Sequence, residues 1–243
     1  FNYTDNTLTS ALKSTSEDKL SSAGYKITTV GASLGTTFEQ YENFFFRPEI
    51  DFTQEDLTTN SSASSVLKKQ EGSYSDFYFN YGLFYDTRDS SFNPKKGNFV
   101  SFTQDLPIIS NDNEVKNTLI LTKYKSLKRS DDMIGKISFY LSAINSYDGS
   151  DVRISKRNRI PSNRLRGFEK GKIGPIDGDD FVGGNYASAL NLSTNIPGLL
   201  TTIESLDFKY FLDVGNVWGV DYDSSLNESN GLRSSTGIAI DYL

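Results

Sequence analysis

From Lys136 to Ala143 the chain alternates strictly: Ile137, Phe139, Leu141 and Ala143 take one side of an extended segment, and Lys136, Ser138, Tyr140 and Ser142 take the other. Side chains of a strand point alternately to opposite faces, so this period places two different surroundings on the two sides. The pattern returns at 206–214, where Leu206, Phe208, Tyr210, Leu212 and Val214 oppose Asp207, Lys209, Phe211 and Asp213. It returns again near the end, with Ile238 and Ile240 set against Arg233, Ser235, Gly237 and Asp241. In all, about ten strands are predicted, near 7–16, 25–37, 43–53, 76–87, 98–106, 115–126, 134–147, 186–195, 205–217 and 232–243. The runs at 98–106 and 115–126 carry apolar residues on both faces.

The connectors narrow the choice of all-β fold. Long polar links are expected near 54–75, 148–185 and 218–231, with modest ones at 17–24 and 107–114 on the same side. Tighter links alternate with them: Glu39 to Glu42, Thr87 to Gly97, Leu127 to Met133 and Asn195 to Ser205. Short turns on one rim and long loops on the other is the habit of an outer-membrane barrel, whereas a soluble β-sandwich has no such bias. No apolar run approaches the ~18 residues of a membrane helix, so any span is made of strands. The expected fold is therefore all-β: an antiparallel transmembrane β-barrel of the outer-membrane type, present as an incomplete barrel of about ten strands.

In that frame the apolar faces meet lipid and Asp213 points into the lumen. A carboxylate there needs a cation. The candidate is Arg166, in the Leu165-Arg166-Gly167-Phe168 stretch of the longest polar connector. Guanidinium is planar, permanently charged and able to hold a carboxylate with two hydrogen bonds.

Two absences limit the chemistry. Without cysteine there are no disulfides or thiolate sites, and without histidine there is no Ser-His-Asp triad, no histidine-ligated metal and no imidazole base. Asp177, Asp179 and Asp180 lack the spacing of an EF-hand loop, so they read as solvated acids and no metal or cofactor is expected. The net charge of −6 argues against nucleic acid as a partner. Lys68-Lys69, Lys95-Lys96 and Lys128-Arg129 read as solvated charges at loops and turns. Beginning at Phe1 with no leader, the sequence reads as an internal or processed piece.

Several motifs occur together in order: Leu165-Arg166-Gly167-Phe168, Ile173-Gly174-Pro175, Val182-Gly183-Gly184-Asn185 and Phe211-Leu212-Asp213-Val214-Gly215-Asn216-Val217-Trp218. This set resembles the barrel domain of the BamA family, the outer-membrane protein assembly factors of Gram-negative bacteria. Asp86-Thr87-Arg88-Asp89, Phe92-Asn93-Pro94 and Gly97 resemble that family's periplasmic turn, and Arg233 to Gly237 resembles the strand after the aspartate motif. The likeness is strong from about residue 76 onward and looser before it. It implies a bacterial outer-membrane location and a lumen loop whose tip, Arg166, is held by Asp213 on the thirteenth strand of roughly sixteen. Gly167 would give the tip its turn, and Phe168 would pack on the inner wall. The implied domain, residues 1–243, is a partial C-terminal barrel beginning near the fifth strand and ending within the fourteenth, with the periplasmic POTRA domains, the first strands and the last two strands outside it.

The resemblance further implies an insertase that needs neither ATP nor cofactor and is not an enzyme. Its partners would be unfolded outer-membrane barrel substrates, lipoprotein subunits of the assembly complex and the lipid bilayer. The sister families, TamA and the two-partner secretion transporters, share the arginine loop and aspartate strand and supply the alternative function, polypeptide transport. An outer-membrane hydrolase is a third reading that the missing histidines disfavour. A ten-strand piece would be a curved open sheet with two raw edges, prone to aggregate in isolation; hydrogen bonding between its first and last strands would contradict that expectation.

Overall fold

All ten alternating runs become antiparallel strands of a single sheet in the computed structural model, which describes residues 7–20, 24–128, 133–195, 206–224, 226 and 231–242. The chain runs β1 (Thr7–Lys19), β2 (Tyr25–Tyr41), β3 (Phe44–Thr59), α1 (Ser65–Lys69), β4 (Gly72–Asp86), β5 (Gly97–Ile109), β6 (Glu114–Ser126) and β7 (Ile134–Ser146). It continues through β8 (Ile176–Asp177), β9 (Asp180–Phe181), β10 (Tyr186–Asn195), β11 (Leu206–Trp218) and β12 (Arg233–Tyr242). Each long strand pairs with its sequence neighbour, and β8 and β9 form a separate hairpin inside the connector that separates β7 from β10. The long strands have 10 to 17 residues, enough to cross a bilayer, which takes roughly 9–11. No described helix is long and apolar enough to cross a membrane.

The sheet is open: among the described residues β1 pairs only with β2 and β12 only with β11. Its outward face is apolar and exposed, with Ile50, Phe52, Leu121, Ile137, Leu212, Ile238 and Ile240 all accessible. The inward face carries Thr53, Asp76, Thr122, Ser138, Ser142, Asn191 and Asp213, all buried. Such an inversion, apolar outside and polar inside, suits a wall between lipid and a filled lumen.

Two expectations need correction. The 54–75 connector is shorter than its polarity suggests, because β3 runs on to Thr59 and β4 begins at Gly72. Part of what remains is the turn α1, where the Ser64 hydroxyl accepts from the Leu67 N–H and Leu67 is buried; a side-chain acceptor at the start of a helix satisfies an otherwise orphaned N–H. The link expected at 107–114 shrinks to 110–113, between Ile109 and Glu114. Arg129 and the 196–205 connector lie outside the described residues.

The ambiguous runs also resolve. On β6 Leu119 and Leu121 face outward opposite Leu141 and Phe139, while Ile120 faces inward and packs against an apolar cluster built from the wall and the 147–185 loop. On β5 the inward Phe99 receives the Arg88 guanidinium at 4.8 Å from its ring centre. Both faces are apolar in places because the inner face is covered by protein. The 87–96 turn is held by Arg88, whose Nε and Nη2 donate to the two Asp86 carboxylate oxygens at 2.8 and 2.7 Å.

Phe139 lies between Leu121 and Leu190 in the middle of the outward band. Phe139→Arg is expected to destabilise the complete parent protein in a bilayer by about 2–4 kcal/mol. Urea unfolding in lipid vesicles measures it; a value near zero would mean that this face does not meet hydrocarbon.

Candidate functional site

Loops normally run over a protein's surface, yet the 147–185 connector buries Val152, Ile154, Ile160, Leu165, Ile173 and Val182. It does so by folding against the inward face of the sheet. One cluster joins Ile160, Leu165 and Ile173 to Tyr140 on β7, Ala187 and Ala189 on β10, and Val217 on β11, with Phe168 packed beside it. A second joins Ile154 and Val182 to Tyr25 and Ile27 on β2, Leu57 on β3, Leu67 on α1 and Val220.

Small residues on both partners allow this approach. A Cβ at Gly215 would stand 2.9 Å from the Ile160 Cδ1, and one at Gly184 only 2.4 Å from the Trp218 carbonyl oxygen. Gly184 also exchanges both backbone hydrogen bonds with Asn158, at 2.7 and 3.0 Å. Gly174, at φ +110°, is pressed against Val217, where a Cβ would meet another at 2.8 Å. Pro175 accepts a hydrogen bond from the Val182 N–H, closing the β8–β9 hairpin. Gly183 precedes the Asn158 contact, and a Cβ there would meet the Asn158 carbonyl oxygen at 2.9 Å.

Leu165, in the first cluster, places Arg166 directly over β11. The Arg166 Nε donates to Asp213 Oδ2 and its Nη2 to Oδ1, both at 2.7 Å, and its backbone N–H donates to Oδ2 at 3.1 Å. The Asn191 amide of β10 donates to Asp213 Oδ1 at 2.8 Å and to the Arg164 carbonyl at 2.7 Å. The guanidinium carbon lies 3.7 Å from the centre of the Phe211 ring, on the same face of β11 two residues earlier. Asp213 is wholly inaccessible, and the four hydrogen bonds its carboxylate oxygens accept all come from N–H donors. Gly167 turns the chain at φ +82° with nothing nearer to its Cβ position than Ser235 at 3.9 Å, so its requirement is conformational, not steric.

The loop has further polar anchors that the sequence reading did not foresee. Arg153, 1% exposed, reaches Asp76 at 2.8 Å, Asp112 at 3.0 Å and Glu55 at 3.4 Å, and its backbone N–H donates to Glu114 at 2.9 Å. Its guanidinium also sits 3.9 Å from the Tyr74 ring centre, and Lys156 adds a second cation on Asp76 at 3.1 Å. Arg157 pairs with Asp221, and its Nη1 donates to Asn185 Oδ1 at 2.8 Å. Asn185 in turn gathers the wall: its carbonyl accepts from the Ile144 N–H and the Asn158 amide. A usable signal was present, since the loop carries Arg153, Arg157, Arg159, Arg164 and Arg166 while Glu55, Asp76 and Glu114 all fall on inward phases near the long-loop ends of their strands. Asp177 and Asp180 face each other across the β8–β9 hairpin, and burial together with Asp177 and Asp179 raises the Asp180 carboxyl above its ordinary value. Among the described residues no group of three or more potential ligands could hold a metal ion.

An apolar-outside, charged-inside sheet with a loop strapped to its concave face is the wall of an outer-membrane-type β-barrel. The whole of residues 1–243 matches the Omp85 superfamily domain. The chain therefore belongs to the Omp85 superfamily, a family of outer-membrane β-barrel proteins. It is 29% identical over 163 residues to the outer membrane protein assembly factor BamA of Neorickettsia risticii, covering 66% of this chain and 22% of that protein. It is 28% identical over 140 residues to a SAM50-like protein of Schizosaccharomyces pombe, covering 56% and 30%. In fold it is similar to BamA from Haemophilus ducreyi lacking POTRA domains 1–3, with a TM-score of 0.82 at 21% identity over 98% of this chain and 53% of that one. A looser likeness, TM-score 0.53 at 11% identity, links it to CdiB from Acinetobacter baumannii, over 88% of this chain and 36% of that one. The chain thus spans less than a third of the length of these curated relatives.

Arg153→Met would leave Glu55, Asp76, Asp112 and Glu114 without their shared cation, with Lys156 paired directly to Asp76. Removing one partner from a buried ion cluster costs about 3–5 kcal/mol, so limited proteolysis of the intact protein should cut faster around 148–160. Unchanged resistance would mean that the segment's other contacts hold it without Arg153. Asp221 provides a pH test. Burial alone would raise its carboxyl, but Arg157, the Val152 N–H and the Asn185 amide together hold it below its ordinary value. Its contribution is therefore full above about pH 4 and is lost as the pH falls further. Hydrogen exchange at Val152, corrected for its intrinsic pH dependence, should speed up below that point and become pH-independent in Asp221→Asn.

Proposed function

We propose that residues 1–243 are part of the C-terminal barrel of an insertase that folds β-barrel proteins into the bacterial outer membrane. The observation that carries this reading is the loop tip held in the concavity: Arg166 grips Asp213 with two 2.7 Å hydrogen bonds. In this reading the loop fixes the curvature of the wall while a seam elsewhere in the barrel opens to the incoming strand. Backbone groups at such an edge hydrogen-bond to a new strand, so the work needs no nucleophile, metal or cofactor. Support comes from membership of the Omp85 superfamily and from the likeness to two BamA proteins. The open edges of the sheet fit a segment of a larger barrel whose remaining strands, and periplasmic POTRA domains, belong to the rest of the protein. Its partners would be unfolded outer-membrane barrel proteins, the lipoproteins of an assembly complex and the bilayer.

The test is a double-mutant cycle on Arg166→Ala and Asp213→Ala in the complete, membrane-inserted protein, read by barrel-assembly activity and loop accessibility. The two single variants should be about equally impaired and the double variant little worse, because either change breaks the same contact. Mild, additive effects with a freely labelled loop would overturn the role given to the pair. A cell that keeps its barrel proteins but fails to secrete one particular polypeptide would favour a transporter instead.

A further inference from the structure

The outward face is not uniformly smooth. Near the short-turn rim one row across the sheet runs Lys125 on β6, Gly135 on β7, Thr194 on β10 and Tyr210 on β11. The next row runs Lys123, Ile137, Leu192 and Leu212. Since Gly135 has no side chain and Thr194 a short one, the surface sinks there into an apolar groove of about 440 Å³, walled by Leu127, Ile137, Leu192, Tyr210 and Leu212. Lys123 and Lys125 stand exposed at its edge, and among the described residues no acid lines it.

These lysines also set its depth. A lysine facing lipid is expensive at the bilayer midplane and nearly free at the interface. On β6 the outward positions change from Leu119 and Leu121 to Lys123 and Lys125 toward the turn, so the groove crosses the boundary between hydrocarbon and headgroups. Apolar walls that end at two cations, at that depth, match a lipid acyl chain with an anionic headgroup above it. We propose that this groove seats an anionic phospholipid of the periplasmic leaflet, its acyl chain beside Gly135 and its phosphate at Lys123 and Lys125. The proposal rests on the strands spanning the outer membrane, but not on insertase activity.

The intact parent protein, reconstituted with equal phosphatidylglycerol and phosphatidylcholine, would be released into detergent and examined by native mass spectrometry. It should retain phosphatidylglycerol in preference. Lys123→Ser and Lys125→Ser should each lower that retention about fivefold. Gly135→Leu places a side chain in the groove, where a Cβ already meets Leu127 at 3.1 Å, and should abolish retention of both lipids. Equal retention of the two lipids by the natural protein, or unchanged retention in Gly135→Leu, would overturn the site; should Gly135→Leu fail to fold, the lysine variants decide. Resistance to unfolding in dodecyl sulfate is scored on the same samples. Protein that is resistant but shows no lipid preference refutes the groove alone, and protein that never inserts refutes the membrane reading as well.

Discussion

A carboxylate stripped of all contact with water has to be matched by a cation, and much of this molecule answers that demand. Asp213 faces the concave side because its neighbours Leu212 and Val214 take the outward positions on the same strand. The loop must then deliver Arg166 to it, which requires Leu165 to be anchored first and Gly167 to turn the chain immediately afterward. Asn191, from the adjacent strand, completes the carboxylate's hydrogen bonding and also holds the Arg164 carbonyl. Wall and loop are therefore specified together. A shift of β11 by one residue would send Asp213 outward and leave Arg166 without its partner.

The same requirement is met repeatedly with arginine. Arg153 and Arg157 are almost wholly buried, each engaged by carboxylates from the wall or the β11–β12 loop. Buried ion pairs of this kind often add little net stability compared with apolar packing, but breaking one is expensive. Their effect is to discriminate. The apolar clusters would tolerate small displacements of the loop, whereas guanidinium contacts directed at carboxylates of different strands and loops allow one placement.

Strand number and the antiparallel class were legible in the sequence, because period-two alternation is local and a wall between two media imposes it on every strand, whereas the lengths of two connectors were not. The exceptions are instructive. Ile120 and Phe99 blurred the pattern on β6 and β5 because the inner face is covered by protein: Ile120 packs on the apolar cluster that wall and loop share, and Phe99 lies under Arg88. The extension of β3 to Thr59 was hidden by Gln54, Glu55 and Asp56, polar residues that on both faces look like loop. Asp213 could be placed because its strand is clean and a family motif surrounds it. The Arg153 cluster could not, since it gathers residues from β3, β4, β6 and two loops, separated by up to about a hundred positions along the chain. A sequence shows phase within a strand; it does not show which distant strands a loop will lean on.

The loop is fastened to well-separated strands of the sheet: through Arg153 to β3 and β4, and through Arg166 to β11. Only a dozen residues separate the two fastenings. A chain that short, tied at each of them and again between them at Arg157 and Asn158, acts as a tie-rod across an arch. In the proposed reading, flattening the sheet would stretch this segment and bending the sheet further would slacken it, and the radius of the wall would follow the length of the loop.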